Sequence, residues 1–403
     1  MHAITDLHVH PSLKMFLWPH LKRRTFRQRM ISGPFFNPLS FRTQFSYLQQ
    51  SPMRVMVVAH YVVEQDFLRY GLKPWASLVA RTGMPRLFES DPWQSFQTMM
   101  EILEDAVKNT NEHRQSGDKT LRILRSSAEL DSVRDDEIGM IHAAEGSNFL
   151  GLDRPEGMDL DAYWQRTRER LQRCKEWGVC MITPAHFWDT LFMPQTEGTE
   201  WVPYKSRGVI GRKRDDGLVH MKRATWHWGD PGTLAEPFVR TCMELGMLVD
   251  ISHTQEHARW KIYELAREYH RPVVASHVGL KSMFNHEYNL SDEEVKAIHG
   301  VGGVIGIILS KRLLLPPEQR YHPKADGIKD VLTVADRILN LTGDLSSIAI
   351  GTDFDGFTDP MKDVYNAGML NGLTQAIYDH FGEEGGKAIT HGNGVRALKQ
   401  GWT

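Results

Sequence analysis

Side chains that can bind a metal ion stand at or just after the end of five apolar segments that are spread over the whole chain. Apolar segments of this kind are typical of parallel β-strands whose two faces are both covered. Imidazoles and carboxylates at the carboxyl ends of several parallel strands are typical of an active site on an α/β barrel. The side chains are those of His8, His10, Glu145, His253, His277 and Asp353.

A histidine taken alone is weak evidence for a site, because the chain contains 19 histidines. What these six residues share is their position relative to an apolar segment, and chance would scatter them. We therefore predict that they form one metal site. We interpret a further set of histidines as structural, namely His60, His142, His220, His257, His299, His322 and His380.

Alternating apolar and amphipathic segments predict strands separated by helices. The predicted strands are Ala3–Leu7, Val55–Val62, Ile138–Ala144, Val179–Thr183, Leu248–Ser252, Val273–Ser276, Gly303–Leu309 and Ile348–Thr352. The predicted helices are Asp161–Trp177, Leu234–Leu245, His257–His270 and Ser291–His299, the last with a capping pattern at its start. This order predicts the α/β class and a (β/α)8 TIM-type barrel, as a single domain over residues 1–403.

Two segments are longer than a minimal barrel needs. Residues 11–53 follow the first predicted strand, and residues 187–230 follow the fourth and are rich in Trp, Lys and Arg. Loops of such length are usually functional, and those that follow strands lie at the mouth of a barrel. We therefore expect two lid-like insertions over the site. The first contains the basic residues Lys22, Arg23, Arg24, Arg27 and Arg29.

Composition narrows the classes of partner. A net charge of −2 gives no general attraction to nucleic acid or to an anionic membrane. No run of 18 apolar residues is present, and the start, MHAITDLHVH, enters a predicted strand at once without a signal peptide. Cys174, Cys180 and Cys242 suggest no disulfide framework. We expect a cytoplasmic protein with a small-molecule substrate and neither nucleic acid nor membrane as partner, and self-association into a homo-oligomer stays open.

The types of ligand favour two divalent metal ions. His8 and His10 share one face of a strand and can grip one ion, while His253 and His277 close neighbouring strands and can grip a second. Glu145 has two carboxylate oxygens and can bridge the ions. Mixed imidazole and carboxylate ligands suit zinc best, although manganese, iron and cobalt accept them too.

Two such ions can share a hydroxide and polarise a substrate carbonyl. Asp353 would then pass the proton to a leaving nitrogen, or act as a weak ligand, or both. His186, which follows the fourth predicted strand in MITPAHF, would donate to the developing oxyanion. The residues therefore predict a binuclear, metal-dependent hydrolase of amide bonds.

The segments that carry these residues resemble the membrane dipeptidase (renal dipeptidase) family of the amidohydrolase superfamily. The similar stretches lie between residues 6 and 398, and they are DLHVH, IHAAEG, LGMLVDISH, PVVASH, GTDFDG and HGNGVRAL. The resemblance implies a (β/α)8 barrel with two zinc ions that hydrolyses dipeptides.

The same resemblance implies a role for each site residue. One zinc would be held by His8, His10 and Glu145, and the other by Glu145, His253 and His277. Asp353 would be the proton shuttle, and His186 would polarise the carbonyl.

Two positions depart from the family pattern. His10 stands where the family usually has an aspartate, so the site loses a negative charge and its bound water should become more acidic. Tyr288, beside Glu287, stands where the family places an arginine that grips the terminal carboxylate of the substrate. Cations that could replace this arginine are Lys281, Lys311, Arg312, Arg207, Arg212, Lys213, Arg214 and Arg223.

The missing arginine leaves alternatives to a dipeptide substrate. The first is a non-peptide amide or a lactone hydrolysed by the same metal site, and a phosphoester is a further one, since two metal ions serve phosphate chemistry equally well. A non-catalytic binding barrel is disfavoured, because none of the six ligand positions is lost.

Overall fold

Parallel strands and intervening helices make up most of the computed structural model. It describes residues 2–17, 25–27, 32–37, 39–64, 91–150, 158–187, 190–196, 211–213, 219–221, 228–316, 318–320 and 327–403. The strands are β1 (Ile4–Val9), β2 (Met53–Tyr61), β3 (Thr120–Leu124), β4 (Glu137–Glu145), β5 (Met181–Thr183), β6 (Gly211–Lys213), β7 (Val219–Met221), β8 (Leu248–Val249), β9 (Val274–Val278), β10 (Val304–Ile308) and β11 (Ile348–Gly351).

Helices lie between most of the parallel strands and after the last one. They are α1 (Pro11–Leu17), α2 (Phe45–Gln50), α3 (Pro92–Glu112), α4 (Leu160–Glu176), α5 (Ala235–Glu244), α6 (Glu256–Tyr269), α7 (Asp292–Gly300), α8 (Lys311–Leu314), α9 (Gly327–Thr342), α10 (Leu370–Lys387) and α11 (Asn393–Gly401). The predicted capping pattern is present at α7, where the side chains of Ser291 and Glu294 each accept a hydrogen bond from the other's backbone N–H.

Eight parallel strands form a nearly closed barrel in the order β8-β5-β4-β2-β1-β11-β10-β9. The two end strands, β8 and β9, meet at a bridge between Asp250 and Val274, where the backbone N–H of Ile251 donates to the Val274 carbonyl at 2.8 Å. This confirms the predicted (β/α)8 barrel. We call the contact between β8 and β9 the barrel seam.

The eight predicted strands overlap the eight strands of the barrel, although some of their bounds were wrong. β3, which pairs with β4 outside that order, was missed because TLRIL is a short segment in which only Leu121 and Leu124 are buried. Leu248–Ser252 was predicted as a strand of five residues, but β8 ends at Val249. Beyond that point the chain is held by single backbone hydrogen bonds, from Asp250 N–H to Ile182 and from Ile251 N–H to Val274, and by donors to the Asp250 side chain.

Apolar side chains pack on both sides of the barrel wall. One cluster takes at least one residue from each barrel strand, and Leu398 and Trp402 at the C-terminal end pack into it. A larger cluster lies between the strands and the surrounding helices. The free cysteines, Cys174, Cys180 and Cys242, are all buried in these clusters.

The two predicted insertions are described only in part. Phe26, Phe41 and Phe45 of the first insertion are buried in the larger cluster, whereas Phe35 is 55% exposed. In the second, β6 and β7 form an antiparallel pair. The lid-like role of both insertions and the single domain stay predictions. Residues of the basic cluster that lie outside the described residues are Lys22, Arg23, Arg24 and Arg29.

No helix within the described ranges is both long enough and apolar enough to cross a membrane.

An irregularity in β9 shapes the mouth of the barrel. Its register with β10 shifts between Ala275, which faces Ile305, and Val278, which faces Ile307. The Ser276 carbonyl oxygen consequently occupies the space beside Gly351, only 1.7 Å from where a Cβ would stand. Glycine at this position is therefore a packing requirement of the irregular strand.

We expect Gly351→Ala to lower the free energy of unfolding by about 1–3 kcal/mol, because the new methyl group collides with backbone that cannot move aside freely. The matched control is Gly372→Ala on the exposed side of α10, where the new Cβ would lie 3.9 Å from the Ile328 side chain. This control should be neutral or stabilising by up to about 1 kcal/mol. Urea unfolding measures both, and a Gly351→Ala protein as stable as wild type would contradict the packing argument.

Candidate metal centre

The structure brings all six predicted ligands together at the carboxyl ends of the barrel strands. His8 and His10 lie at the end of β1, Glu145 ends β4, and His277 lies in β9. The two others follow β8 and β11. All are buried, with exposed fractions between 0% for His8 and 6% for His253 and Asp353.

The carboxylate of Glu145 lies at the centre of this group. Its Oε1 is 3.2 Å from Nε2 of His8 and 3.4 Å from Nε2 of both His253 and His277. Its Oε2 is 3.5 Å from Nε2 of His10 and 3.7 Å from Nε2 of His186. Each oxygen thus faces its own set of imidazoles, but this division differs from the predicted ligand sets, because His8 lies with His253 and His277 instead of with His10.

The imidazole nitrogens also face one another. Nε2 of His8 lies 2.9 Å from Nε2 of His10, and Nε2 of His253 lies 3.2 Å from Nε2 of His277. Asp353 Oδ1 is 3.2 Å from Nε2 of His10. Among the described residues, potential ligand atoms lie within 4.8 Å of one another inside each of three groups. These groups are His8, Glu145 and His277; His8, His10 and Asp353; and Glu145, His186 and His253.

The hydrogen bonds of His10 test whether the donor set fits a metal ion. Its Nδ1 lies 3.0 Å from the carbonyl oxygen of Ala59, which can only accept, so Nδ1 carries the proton. The neutral ring then has its lone pair on Nε2, the atom that points into the cluster. A backbone partner on the outer nitrogen is typical of a metal-binding histidine, so these residues fit a divalent cation.

Charge interactions shift the pKa values in the cluster. Burial opposes ionisation of Glu145, but His186, His8 and His10 hold its carboxyl pKa well below the usual range. Burial opposes protonation of His8, yet the Glu145 carboxylate raises its pKa to about 9. Burial and the neighbouring His8 hold the pKa of His277 well below its usual range. A metal ion that binds His8 near neutral pH must therefore displace a proton from it.

His186 belongs to the cluster, and its Nδ1 contacts Glu64, a residue that the sequence analysis missed. Its Nδ1 is 3.0 Å from Oε1 of Glu64, which also accepts the backbone N–H of Phe187 at 3.2 Å. The Tyr61 hydroxyl donates to the other oxygen of Glu64. Burial lowers the pKa of His186, but Glu145 and Glu64 raise it above its ordinary value. Glu64 lies three residues after β2, so the criterion of a position just after an apolar segment would also have identified it.

Backbone strain is concentrated in the loops that carry ligands. His253 has φ 63° and Asp353 has φ 55°, and Asp355 and Phe357 also have positive φ. Non-glycine residues in this region cost about 1–3 kcal/mol each and persist only where the surroundings hold them. Asp353 is held by its backbone N–H, which donates to the His8 carbonyl at 2.9 Å.

Tyr288 is turned toward the metal ligands. Its hydroxyl donates to the His277 carbonyl at 2.6 Å, and its ring packs edge-on against His253 with centroids 4.8 Å apart. Tyr288 therefore supports two predicted metal ligands, His253 and His277. It stands where the resemblance implies an arginine that binds the substrate carboxylate.

The described cations that could replace that arginine already lie beside carboxylates. Lys281 Nζ is 2.6 Å from Glu256, while Lys311 and Arg312 are 3.7 and 3.4 Å from Asp359. The side chains of Arg212 and Lys213 in β6 are not described. Arg207, Arg214 and Arg223 lie outside the described residues.

We expect Glu145→Gln to reduce metal binding at both positions, because the amide removes the shared negative charge. The matched control is Glu64→Gln, a second buried carboxylate that touches His186 and none of the six predicted ligands in a described contact. It should keep its metal. Elemental analysis after reloading the purified variants measures this, and loss of a single ion from Glu145→Gln would argue against bridging.

Comparison with known proteins agrees with this site. A sequence model of the family described as membrane dipeptidase (peptidase family M19) matches residues 232–401, which include His253, His277 and Asp353. A Klebsiella pneumoniae protein, described as a protein in the pqqA 5′ region, is 27% identical over 297 residues. These residues cover 70% of this chain and 89% of that protein. Dipeptidase 3 of Rattus norvegicus is 25% identical over 173 residues, 42% of this chain but only 33% of the rat protein.

Solved structures extend the likeness to the whole chain. A Rhodobacter sphaeroides metallopeptidase, crystallised with a phosphinate mimic of the dipeptide L-Ala-D-Ala, superposes with a TM-score of 0.66 at 18% identity and covers 100% of this chain and 99% of its own. At that identity the likeness shows a shared fold. The sequence match shows that residues 232–401 of the chain are similar to the membrane dipeptidases (peptidase family M19).

Proposed function

We propose that this protein hydrolyses amide bonds in small molecules, in the manner of a dipeptidase, with two divalent metal ions, of which zinc is the expected one. The observation that carries the proposal is the contact of both Glu145 oxygens with five imidazoles from different parts of the barrel. Imidazole and carboxylate ligands of this kind suit zinc.

His8, His10 and Glu145 would hold one ion, and Glu145, His253 and His277 the other. When bound, the pair would supply a bridging hydroxide and polarise the substrate carbonyl. The histidine at position 10 leaves this centre with one negative charge fewer than an aspartate would.

Asp353 would move the proton in this reaction. Its carboxylate lies beside Nε2 of His10, and strained backbone and burial hold it there. It would take a proton from the attacking water and deliver it to the leaving nitrogen. His186 would direct Nε2–H toward the developing oxyanion, because its Nδ1 is engaged by Glu64.

We expect Asp353→Asn to keep both metal ions but lower turnover by about 10² or more, in line with the usual contribution of general acid–base catalysis. An exposed aspartate of α9 gives the control: Asp336→Asn, which breaks only a surface contact to His380, should behave as wild type. Metal content and steady-state kinetics are measured on both variants. Near-normal turnover of Asp353→Asn would mean that another group moves the proton.

Dipeptides are the first substrate class to test. Support comes from the dipeptide mimic in the Rhodobacter metallopeptidase and from the name of the rat relative. Tyr288 and the carboxylate-paired cations favour a second class, amides or lactones without a free carboxylate. Both classes use the same metal site and differ only in what binds the far end of the substrate.

The comparison that separates these classes is kcat/KM for a dipeptide against its C-terminal amide. We expect the amide to be hydrolysed equally well or better, because Tyr288 replaces the expected cation and Glu287 beside it repels a carboxylate. An unpaired carboxylate in a partly dry pocket is costly. If the free acid were preferred tenfold or more, a carboxylate anchor would exist, and charge-removing variants at Lys311, Arg312 and Arg223 would locate it.

We also propose a cytoplasmic location, because the three cysteines are buried and free.

A further inference from the structure

We propose that Asp250 and Ser276 form a hydrogen-bonded clamp that sets the ring tautomers of two ligands, His8 and His277, one from each proposed metal position. Both residues are fully buried and act through the histidines as positioning residues. The inference rests on the proposed metal site.

The clamp centres on one hydroxyl group. Ser276 Oγ lies 2.6 Å from Oδ2 of Asp250, 2.7 Å from Nδ1 of His277 and 3.0 Å from Nδ1 of His8. The four side chains are buried, with exposed fractions of 0–1%. The rings of His8 and His277 pack at a tilt of 32° with centroids 3.7 Å apart, which allows one hydroxyl to reach both.

Counting protons fixes the direction of these hydrogen bonds. A serine hydroxyl has one proton and two lone pairs, whereas a carboxylate can only accept. The Ser276 proton therefore goes to Asp250, and the two lone pairs accept Nδ1–H from His8 and from His277. Each ring, once neutral, then has its lone pair on Nε2, the atom that would bind a metal ion.

Asp250 is itself held rigidly, so it can fix the hydroxyl. Its Oδ2 also accepts the Thr183 hydroxyl at 2.6 Å, and its Oδ1 accepts the backbone N–H of Ser276 at 2.9 Å. Oδ1 further accepts the hydroxyl of Ser252 at 2.8 Å and its backbone N–H at 3.0 Å. These donors come from β5, from β9 and from the residues after β8, which places the clamp across the barrel seam.

A shared hydroxyl has a consequence that a purely local contact lacks. Ser276→Ala should weaken both metal positions, because it removes the acceptor of one ligand in each. Loss of a group that orients metal ligands typically costs about 10–100-fold in metal affinity.

The first experiment measures Zn²⁺ affinity of the metal-free protein by competition with a chromogenic chelator. We expect both binding steps to weaken about 10–100-fold in Ser276→Ala. The matched control is Thr183→Val, which removes another donor to the same Asp250 oxygen and touches no ligand ring in a described contact. Unchanged affinity in Ser276→Ala, weakening of one step only, or an equal loss in Thr183→Val would each overturn the shared clamp.

The second experiment needs no variant. Long-range ¹H–¹⁵N NMR of histidine-labelled wild-type protein reports which ring nitrogen carries a proton. We expect Nδ1–H on His277 without metal, and Nδ1–H on both His277 and His8 in the zinc-loaded protein. A proton on Nε2 of His277 in the metal-free protein would overturn the clamp even if Ser276→Ala did not fold.

The two proposals can fail separately. Wild-type protein that binds no zinc would refute the proposed function, while the metal-free tautomer of His277 would still decide the clamp. Normal zinc binding with the wrong tautomer would refute the clamp alone.

Discussion

The buried charge of Glu145 is the constraint on which the rest of the site depends. An ionised carboxylate that is 2% exposed is costly unless groups of opposite charge or polarity surround it. The barrel meets this need with imidazoles carried by β1, by β9 and by the loops after β5 and β8. The same imidazoles keep the carboxylate ionised, and a carboxylate in that state is what a pair of cations requires. The strained loops and tightly packed glycines at the mouth hold this arrangement in place.

The sequence predicted the barrel and the convergence of its six ligands because both follow from position along a strand. Ligands at strand ends must meet in a closed parallel barrel, whatever their separation along the chain. Contacts between side chains do not follow from that rule. Asp250 and Ser276 lie inside apolar segments and are typical of strand residues, and the division of imidazoles between the two Glu145 oxygens does not follow from position along a strand. β3 was missed for a different reason, because a segment of five residues with two buried side chains is weak evidence for a strand.

Tyr288 shows how one exchange can move a position from substrate binding to ligand support. Its ring and hydroxyl contact the side chain of His253 and the backbone of His277. The loop that carries it is held by Arg259, which is fully buried, pairs with Glu294 at 2.6 Å and donates to the Tyr288 carbonyl at 3.2 Å. Arg259 therefore serves the backbone of this loop, and the tyrosine contacts two predicted metal ligands. In the proposed function, the metal site and the recognition of the far end of the substrate would depend on different residues.

A metal ion bound at this centre would also help to close the barrel at its seam. β8 is only two residues long, and beyond it the wall is closed by one bridge and by the hydrogen bonds of Asp250. His253 follows one edge of this seam, and His277 belongs to the other. An ion bound by both histidines would link the two edges of the seam. Without that ion, the barrel would be held least firmly at β8, its shortest strand. The hydrogen bonds of Asp250 that would orient the metal ligands therefore also help to keep the barrel closed.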